Sequence, residues 1–174
     1  MKNLEEYVRN INDFPKKGIV YRDVTTVLSD ADGLKLAIES MQKLLENTEF
    51  DVVVAPESRG FIFGMPMAYN MNKAFVPVRK KGKLPAETIS EDYDLEYGSA
   101  TIEIHKDAIK PGQKVVIVDD LVATGGTLQA IIKLVERLGG QVVKICSLIE
   151  LVDLNARELL KGYEIGSCIE FKGE

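Results

Sequence analysis

Cysteine and histidine are scarce in this sequence of 174 residues, which contains two cysteines, Cys146 and Cys168, and one histidine, His105. Two cysteines are too few for a disulfide framework, and their spacing is not that of a zinc-binding pair. No apolar run reaches the length of about 18 residues that a membrane-spanning helix needs. Residues 1–7 also lack the apolar core of a secretory signal peptide. The sequence therefore predicts a cytoplasmic protein.

An excess of positive charge is also missing. Lysine and arginine total 22 against 27 aspartates and glutamates, which gives a formal net charge of −5. A general nucleic-acid-binding protein needs surplus cations to displace counterions from phosphates, so we expect no nucleic-acid partner. The composition is otherwise that of a globular protein, and the length corresponds to about one domain. Any anionic ligand must therefore meet a local cluster of basic side chains.

Hydrophobic periodicity alternates between strand and helix along most of the chain. Strands are predicted over residues 51–55, 74–79, 114–119, 141–149 and 164–171, and helices over 32–47, 60–70, 127–138 and 154–160. Such alternation is typical of an α/β protein with a parallel sheet, which binds its ligands at the carboxyl ends of the strands. Residues 80–98 read as a long polar loop, and loops of that length are usually functional. Residues 99–106 read as an antiparallel addition to the sheet.

The segment VVIVDDLVATGGT, residues 115–127, is the most informative part of the sequence. A buried strand ends in two acids, and a turn of small residues then opens a helix. Free amide groups at a helix N-terminus bind anions, and two glycines allow a phosphate to approach the backbone closely. The segment is neither a Walker A loop nor a dinucleotide-binding fingerprint. Taken alone, the glycines could also serve the geometry of the turn without binding any ligand.

The acid pair in front of this turn indicates the ligand. Two carboxylates would repel a phosphate, but they can accept hydrogen bonds from the 2′- and 3′-hydroxyls of a ribose. The whole segment resembles the motif with which type I phosphoribosyltransferases bind phosphoribosyl pyrophosphate (PRPP). This resemblance implies one phosphoribosyltransferase domain over residues 1–174, with a parallel sheet of about five strands flanked by helices. It also implies a small hood, mainly from residues 1–30, and a flexible catalytic loop over residues 80–98.

Three further segments resemble the branch of this family that acts on adenine. They are FPKKGIVYRD at residues 14–23, APESRGF at residues 55–61, and the stretch that contains KKGKLP and YDLEYG within residues 80–98. The first resembles the hood segment, the second the pyrophosphate-binding turn and the third the catalytic loop. In the family that turn often contains a cis peptide, which here would lie around residues 57–59.

The resemblance also implies a role for individual residues. Glu96, beside N7 of the purine, and Arg59, on the pyrophosphate, are the implied catalytic residues. Tyr21 and Leu121 would stack on the two faces of adenine, while the backbone of Val20 and Arg22 reads its Watson–Crick edge. PRPP and AMP would be bound by Ser58, Arg79, Lys80, Lys83, Asp119, Asp120, Ala123, Thr124, Gly125, Gly126 and Thr127.

The implied reaction joins adenine to PRPP and releases AMP and pyrophosphate, in purine salvage. Mg²⁺ is the expected cofactor, held mainly by oxygens of the substrate, with no dedicated set of protein ligands. A homodimer is the expected assembly. Two alternatives remain open: a phosphoribosyltransferase that acts on xanthine or guanine, and a non-catalytic regulator that senses PRPP.

Overall fold

Two apolar β-branched runs lie at the centre of the protein. The computed structural model describes residues 2–95 and 98–173. Strand β3 (Val52–Pro56) is buried along its whole length, and its neighbour β7 (Lys114–Val122) is buried from Val115 to Val118. Burial on both faces is the reason that these segments are continuous apolar runs rather than alternating ones.

Five parallel strands form the main part of a seven-stranded sheet. The parallel strands are, in spatial order, β4 (Ala74–Lys80), β3, β7, β8 (Gln141–Leu151) and β9 (Ile165–Phe171). The predicted parallel sheet of about five strands is confirmed. Strand β6 (Ser99–His105) pairs antiparallel with β4, as the alternating pattern of residues 99–106 predicted.

The prediction of a loop throughout residues 80–98 was wrong in its second half. Residues Thr88–Asp94 form strand β5, which pairs antiparallel with β6 at the edge of the sheet. The inner face of β5 carries Ile89, Glu91 and Tyr93, which are partly buried. Glu91 forms ion pairs with Lys133 and Arg137, which lie on a helix about forty residues further along the chain. Because these partners are distant in sequence, the local pattern makes Glu91 look like a solvent-exposed loop residue.

Helices cover both faces of the sheet. Helix α4 (Gly126–Arg137) and the short α5 (Ala156–Leu159) pack on one face, and α1 (Thr25–Leu28), α2 (Ala31–Lys43) and α3 (Arg59–Asn70) pack on the other. Helix α2 begins where the side chain of Asp30 accepts hydrogen bonds from the amides of Asp32 and Gly33, which caps the helix. No helix in the described ranges is long and apolar enough to cross a membrane.

A two-stranded antiparallel hairpin stands beside the main sheet. Its strands are β1 (Arg9–Asn12) and β2 (Val20–Asp23). The carboxylate of Asp23 accepts hydrogen bonds from the amide and hydroxyl of Thr25 and from Arg9. The hydroxyl of Thr25, followed by the guanidinium of Arg9, lowers the pKa of Asp23 to about 2. Beside it in β2, the Arg22 guanidinium lies 4.0 Å from the centre of the Phe171 ring, so this end of the hairpin contacts β9.

Candidate functional site

A cavity of about 430 Å³ opens where β3 and β7 end side by side. Its walls come from the hairpin, the turn after β3, strand β5 and the segment that joins β7 to α4. The lining residues are Tyr21, Pro56, Glu57, Ser58, Arg59, Tyr93, Asp119, Asp120, Leu121, Val122, Ala123, Thr124, Gly125, Gly126, Thr127 and Leu128. The carboxyl edge of a parallel sheet is where the sequence predicted a ligand.

The turn between β7 and α4 lies along one wall of the cavity. Gly125 occupies the cap position of α4 with φ +90° and ψ −1°, so no side chain there covers the first amide groups of the helix. A Cβ atom at this glycine would lie 3.3 Å from both Ala156 Cβ and Leu160 Cδ1. The positive φ and this close packing both require glycine. The exposed amides and the hydroxyls of Thr124 and Thr127 make this wall suitable for a phosphate.

Asp119 and Asp120 lie within β7, which continues to Val122, whereas the sequence predicted that the strand ends at Asp119. The Asp119 Oδ1 atom accepts a hydrogen bond from the backbone amide of Asp120 at 2.8 Å. Asp120 is only 3% exposed, and its Oδ2 atom lies 3.0 Å from the Nε atom of Arg59 in an ion pair. Burial, followed by the neighbouring Asp120 charge, raises the pKa of Asp119 well above its usual range. By surface exposure, Asp119 is partly buried and Asp120 is fully buried, so Asp119 is the more accessible of the two carboxyl groups.

The turn after β3 contains a cis peptide between Glu57 and Ser58, which confirms the prediction for residues 57–59. Glu57 accepts a hydrogen bond from the Lys80 amide at 2.6 Å, and its other oxygen lies 3.4 Å from Arg79 Nη2. Burial alone would raise the pKa of Glu57, but these contacts with Lys80 and Arg79 outweigh it and the pKa is lowered. Glu57 thus joins the end of β4 to the turn that carries Ser58 and Arg59.

The basic cluster lies behind the cavity rather than in its wall. Arg79, Lys80 and Lys83 were predicted to contact the ligand, but none of them is among the described residues that line the cavity. Arg79 contacts Glu57 and the carbonyl oxygen of Lys83, and Lys80 contributes its backbone amide to Glu57. The direct neighbour of the Arg79 guanidinium is therefore a carboxylate of the protein, that of Glu57. Arg59 is the predicted cation that does line the cavity.

The hairpin contributes Tyr21 to the cavity, opposite Leu121 on β7. The hydroxyl of Tyr21 accepts a hydrogen bond from Arg59 Nη1 at 2.8 Å, and Phe14 packs edge-on against its ring with centroids 5.2 Å apart. Val20 and Arg22 flank Tyr21 in β2 and are not among the described lining residues. The structure therefore brings Tyr21 and Leu121 together, while the prediction for the backbone of Val20 and Arg22 remains a prediction.

Five lining residues were absent from the predicted site: Pro56, Glu57, Tyr93, Val122 and Leu128. The alternation of Ile89, Glu91 and Tyr93 was the signal that could have identified Tyr93 as an inward-facing strand residue. Glu96, predicted as a catalytic residue, lies outside the described residues. Within residues 2–95 and 98–173, no group of three or more His, Cys, Asp or Glu side chains could hold a metal ion.

Comparison with known proteins gives one consistent result. A family model described as phosphoribosyl transferase domain matches residues 23–172. The adenine phosphoribosyltransferase of Lachnoclostridium phytofermentans is 66% identical over 174 residues, which is 100% of both chains. That of Agathobacter rectalis is 61% identical, again over 100% of both chains.

Solved structures agree with these sequence matches. The adenine phosphoribosyltransferase of Thermoanaerobacter pseudethanolicus is 56% identical and superposes with a TM-score of 0.93, over 97% of this chain and 100% of that one. The enzyme of Saccharomyces cerevisiae, solved with an imino-altritol bisphosphate and adenine, is 34% identical with a TM-score of 0.89. That match covers 95% of this chain and 96% of the yeast chain.

Proposed function

The chain belongs to the phosphoribosyltransferase family, and from this premise we propose the substrates, residue roles, cofactor and assembly that follow. The reaction is the transfer of the 5-phosphoribosyl group of PRPP to adenine, which yields AMP and pyrophosphate and salvages a purine base. One observation of the structure supports this function most directly. A phosphate-binding helix start, an acid pair and an arginine-bearing turn all line a single cavity, and an aromatic ring closes it.

The ribose 5′-phosphate is bound by the turn of residues 123–127. The glycine-capped start of α4 presents amide donors, and the helix dipole favours negative charge at this end. Thr124 and Thr127 add hydroxyl donors. Asp119 accepts hydrogen bonds from the ribose hydroxyls, and Asp120 contributes its negative charge from beneath. Their charge favours the positive character that develops on the ribose ring as the bond to pyrophosphate breaks.

Pyrophosphate is bound on the opposite side of the cavity, by the amides around Ser58 and by the guanidinium of Arg59. A guanidinium carries a planar set of donors that fits two oxygens of a phosphate. Arg79, Lys80 and Lys83 supply positive charge behind this turn. The contacts of Arg79 and of the Lys80 amide with Glu57 support that arrangement, since Glu57 lies in the same turn.

Adenine lies between the ring of Tyr21 and the side chain of Leu121, where an apolar slot suits a flat base. The backbone of Val20 and Arg22 forms hydrogen bonds with the N1 acceptor and the N6 donor of adenine. An oxo-purine has a donor at position 1 and an acceptor at position 6, so it does not fit the same backbone groups. In the reaction N9 bonds to C1′, the C1′–O bond to pyrophosphate breaks, and C1′ is inverted. Glu96 receives the proton that the base loses at N7.

Mg²⁺ is the cofactor that we propose, bound chiefly to oxygens of PRPP and pyrophosphate. The donor groups of the cavity fit this ion, because the carboxylates of Asp119 and Asp120 and the phosphate oxygens are all hard oxygen ligands. When bound, Mg²⁺ neutralises part of the charge on the departing pyrophosphate. Arg59 supplies the protein's own share of that neutralisation.

The assembly that we propose is a homodimer formed through α3. Its side chains Ile62, Met65 and Tyr69 are 38%, 50% and 79% exposed, and their spacing of three and four residues places them on one helix face. This face begins at Ile62, three residues after Arg59, so the partner copy would lie close to the cavity. Sedimentation should give a dimer, and Met65→Lys should shift it toward monomer. A fully active monomer would exclude this assembly.

The protein acts in the cytoplasm under this proposal. Both cysteines are free thiols, Cys146 buried and Cys168 partly buried, which suits a reducing compartment. Cell fractionation with an antibody to the chain should recover it with cytoplasmic markers. Recovery with secreted proteins would contradict this location.

A nucleobase panel tests the activity most directly. The protein is incubated with PRPP, Mg²⁺ and either adenine, guanine, xanthine or hypoxanthine, and nucleotides are separated by chromatography. Adenine should be converted with the highest kcat/KM, and faster turnover of guanine or xanthine would assign the alternative substrate. Thr124→Val should raise KM for PRPP, while Thr48→Val, a matched change outside the cavity, serves as its control. Specific DNA binding without AMP formation would indicate the regulator.

A further inference from the structure

Arg59 is held from two directions in the cavity. Its Nε atom lies 3.0 Å from the buried Oδ2 atom of Asp120, and its Nη1 atom donates to the hydroxyl of Tyr21 at 2.8 Å. The two partners come from different parts of the fold, Asp120 from the central strand β7 and Tyr21 from the hairpin strand β2. The arginine therefore spans the cavity from the sheet to the hairpin.

These two contacts leave most of the guanidinium available. Arginine has five N–H donors, and the hydrogen bond to Tyr21 uses one of them, at Nη1. The contact of Nε with Asp120 Oδ2 is an ion pair without hydrogen-bond geometry, so both donors of Nη2 remain. The side chain of Arg59 is 44% exposed, whereas that of Asp120 is 4% exposed, so the free donors have access to a ligand. The observed geometry is therefore compatible with an anion bound to Arg59 while both protein contacts persist.

The position of the Tyr21 hydroxyl is itself fixed by packing. Phe14 meets the Tyr21 ring at an interplanar angle of 79°, an edge-to-face arrangement that restricts rotation and tilt of the ring. A hydroxyl on a restrained ring is a fixed acceptor for a long, otherwise mobile arginine side chain. If such a side chain became ordered only when the ligand binds, the loss of conformational entropy would lower the affinity for the ligand.

We propose that the Tyr21 hydroxyl is a positioning group for Arg59, so that the ring that stacks on adenine also sets the affinity for pyrophosphate and PRPP. This inference rests on the proposed function, because it assigns pyrophosphate to Arg59. Tyr21 has two separable roles under it. The ring contacts the base, and the hydroxyl acts on the other substrate through Arg59.

Tyr21→Phe tests the inference because it keeps the ring and removes only the hydroxyl. We expect KM for PRPP and Kd for pyrophosphate to rise about three- to tenfold, the effect of losing one hydrogen bond. KM for adenine should rise by a much smaller factor. Tyr163→Phe is the matched control, since it removes a hydroxyl that also binds a charged side chain, that of Glu136, away from the cavity. A Tyr21→Phe enzyme with the wild-type affinity for pyrophosphate and PRPP would overturn the inference.

A double-mutant cycle shows whether the hydroxyl acts through Arg59. Pyrophosphate binding is measured by titration calorimetry for the wild type, Tyr21→Phe, Arg59→Ala and the double variant. In the Arg59→Ala background the Tyr21→Phe change should have no further effect on Kd. An equal effect in both backgrounds would mean that the hydroxyl contacts the ligand itself, which contradicts a positioning role. A wild type that binds pyrophosphate but forms no AMP would refute the proposed function, whereas the cycle would still decide whether Tyr21 acts on pyrophosphate through Arg59.

Discussion

Replacing Gly125 by alanine should damage the phosphate-binding turn to a degree that the structure defines. The residue has φ +90°, and a non-glycine residue in that region costs about 1–2 kcal/mol. The added Cβ would also lie 3.3 Å from Ala156 and Leu160, a separation at which the neighbours must shift. Together these effects should lower the free energy of unfolding by about 1–3 kcal/mol. The expected fall in Tm is roughly 3–10 °C for a protein of this size.

Gly126→Ala is the matched control for this prediction. The nearest atoms to a Cβ at Gly126 are the Asp94 carbonyl oxygen at 3.7 Å and Tyr93 Cδ2 at 4.0 Å, which are ordinary contacts. Calorimetry of both variants should find Gly125→Ala clearly less stable and Gly126→Ala close to the wild type. Titration with AMP should also show weaker binding by Gly125→Ala. If the two variants are equally stable, the assigned strain at Gly125 is wrong.

Three other predictions concern charged groups. Asp119→Asn should weaken PRPP binding but stabilise the free protein. Because the pKa of Asp119 is raised in the folded state, its contribution to stability is complete below the ordinary pKa of 3.8 and is lost as pH rises through the folded-state pKa. Denaturation of both proteins at pH 4 to 8 measures this difference. The pH dependence of stability has the opposite sign for Asp23, because its pKa is lowered to about 2. The loss of unfolding free energy in Asp23→Asn should be complete above pH 4 and should disappear as pH falls through about 2. Arg157→Ala leaves the buried Glu150 carboxylate without its 2.7 Å and 2.8 Å hydrogen bonds and should cost about 1–3 kcal/mol in chemical denaturation.

Each of these predictions has a contrary result. An Asp119→Asn protein less stable than the wild type at every pH would show that the carboxylate is not strained by burial. If the loss of unfolding free energy in Asp23→Asn persists unchanged at pH 2, the hydrogen bonds assigned to the Asp23 carboxylate are not the cause of its stabilising effect. Arg157→Ala with the stability of the wild type would mean that solvent replaces Arg157 at Glu150.

Local patterns were sufficient to predict the centre of the fold. Val52–Pro56 and Val115 to Val118 are apolar because both faces of their strands are covered, and the strands lie where those runs are. The place of the turn of residues 123–127 in the cavity wall was also predictable, because the acids, glycines and threonines concerned are adjacent in sequence. The two strands and the turn are determined mainly by residues that are neighbours along the chain.

Contacts between distant residues were not predictable in the same way. The Arg79 guanidinium, which was predicted to bind the ligand, is also paired with Glu57, which is 22 residues away. The hydrogen bond between Arg59 and Tyr21 joins residues 38 apart. Strand β5 was missed because Glu91 is stabilised by cations of α4 rather than by water. In each case a charged residue has a partner that no local pattern identifies.

A crystal structure of the protein with AMP tests the central claim most directly. The account predicts the 5′-phosphate against the amides of residues 124–127, with the ribose hydroxyls on Asp119 and adenine beside Tyr21. Finding the nucleotide bound elsewhere, with the turn of residues 123–127 free of phosphate, would contradict it.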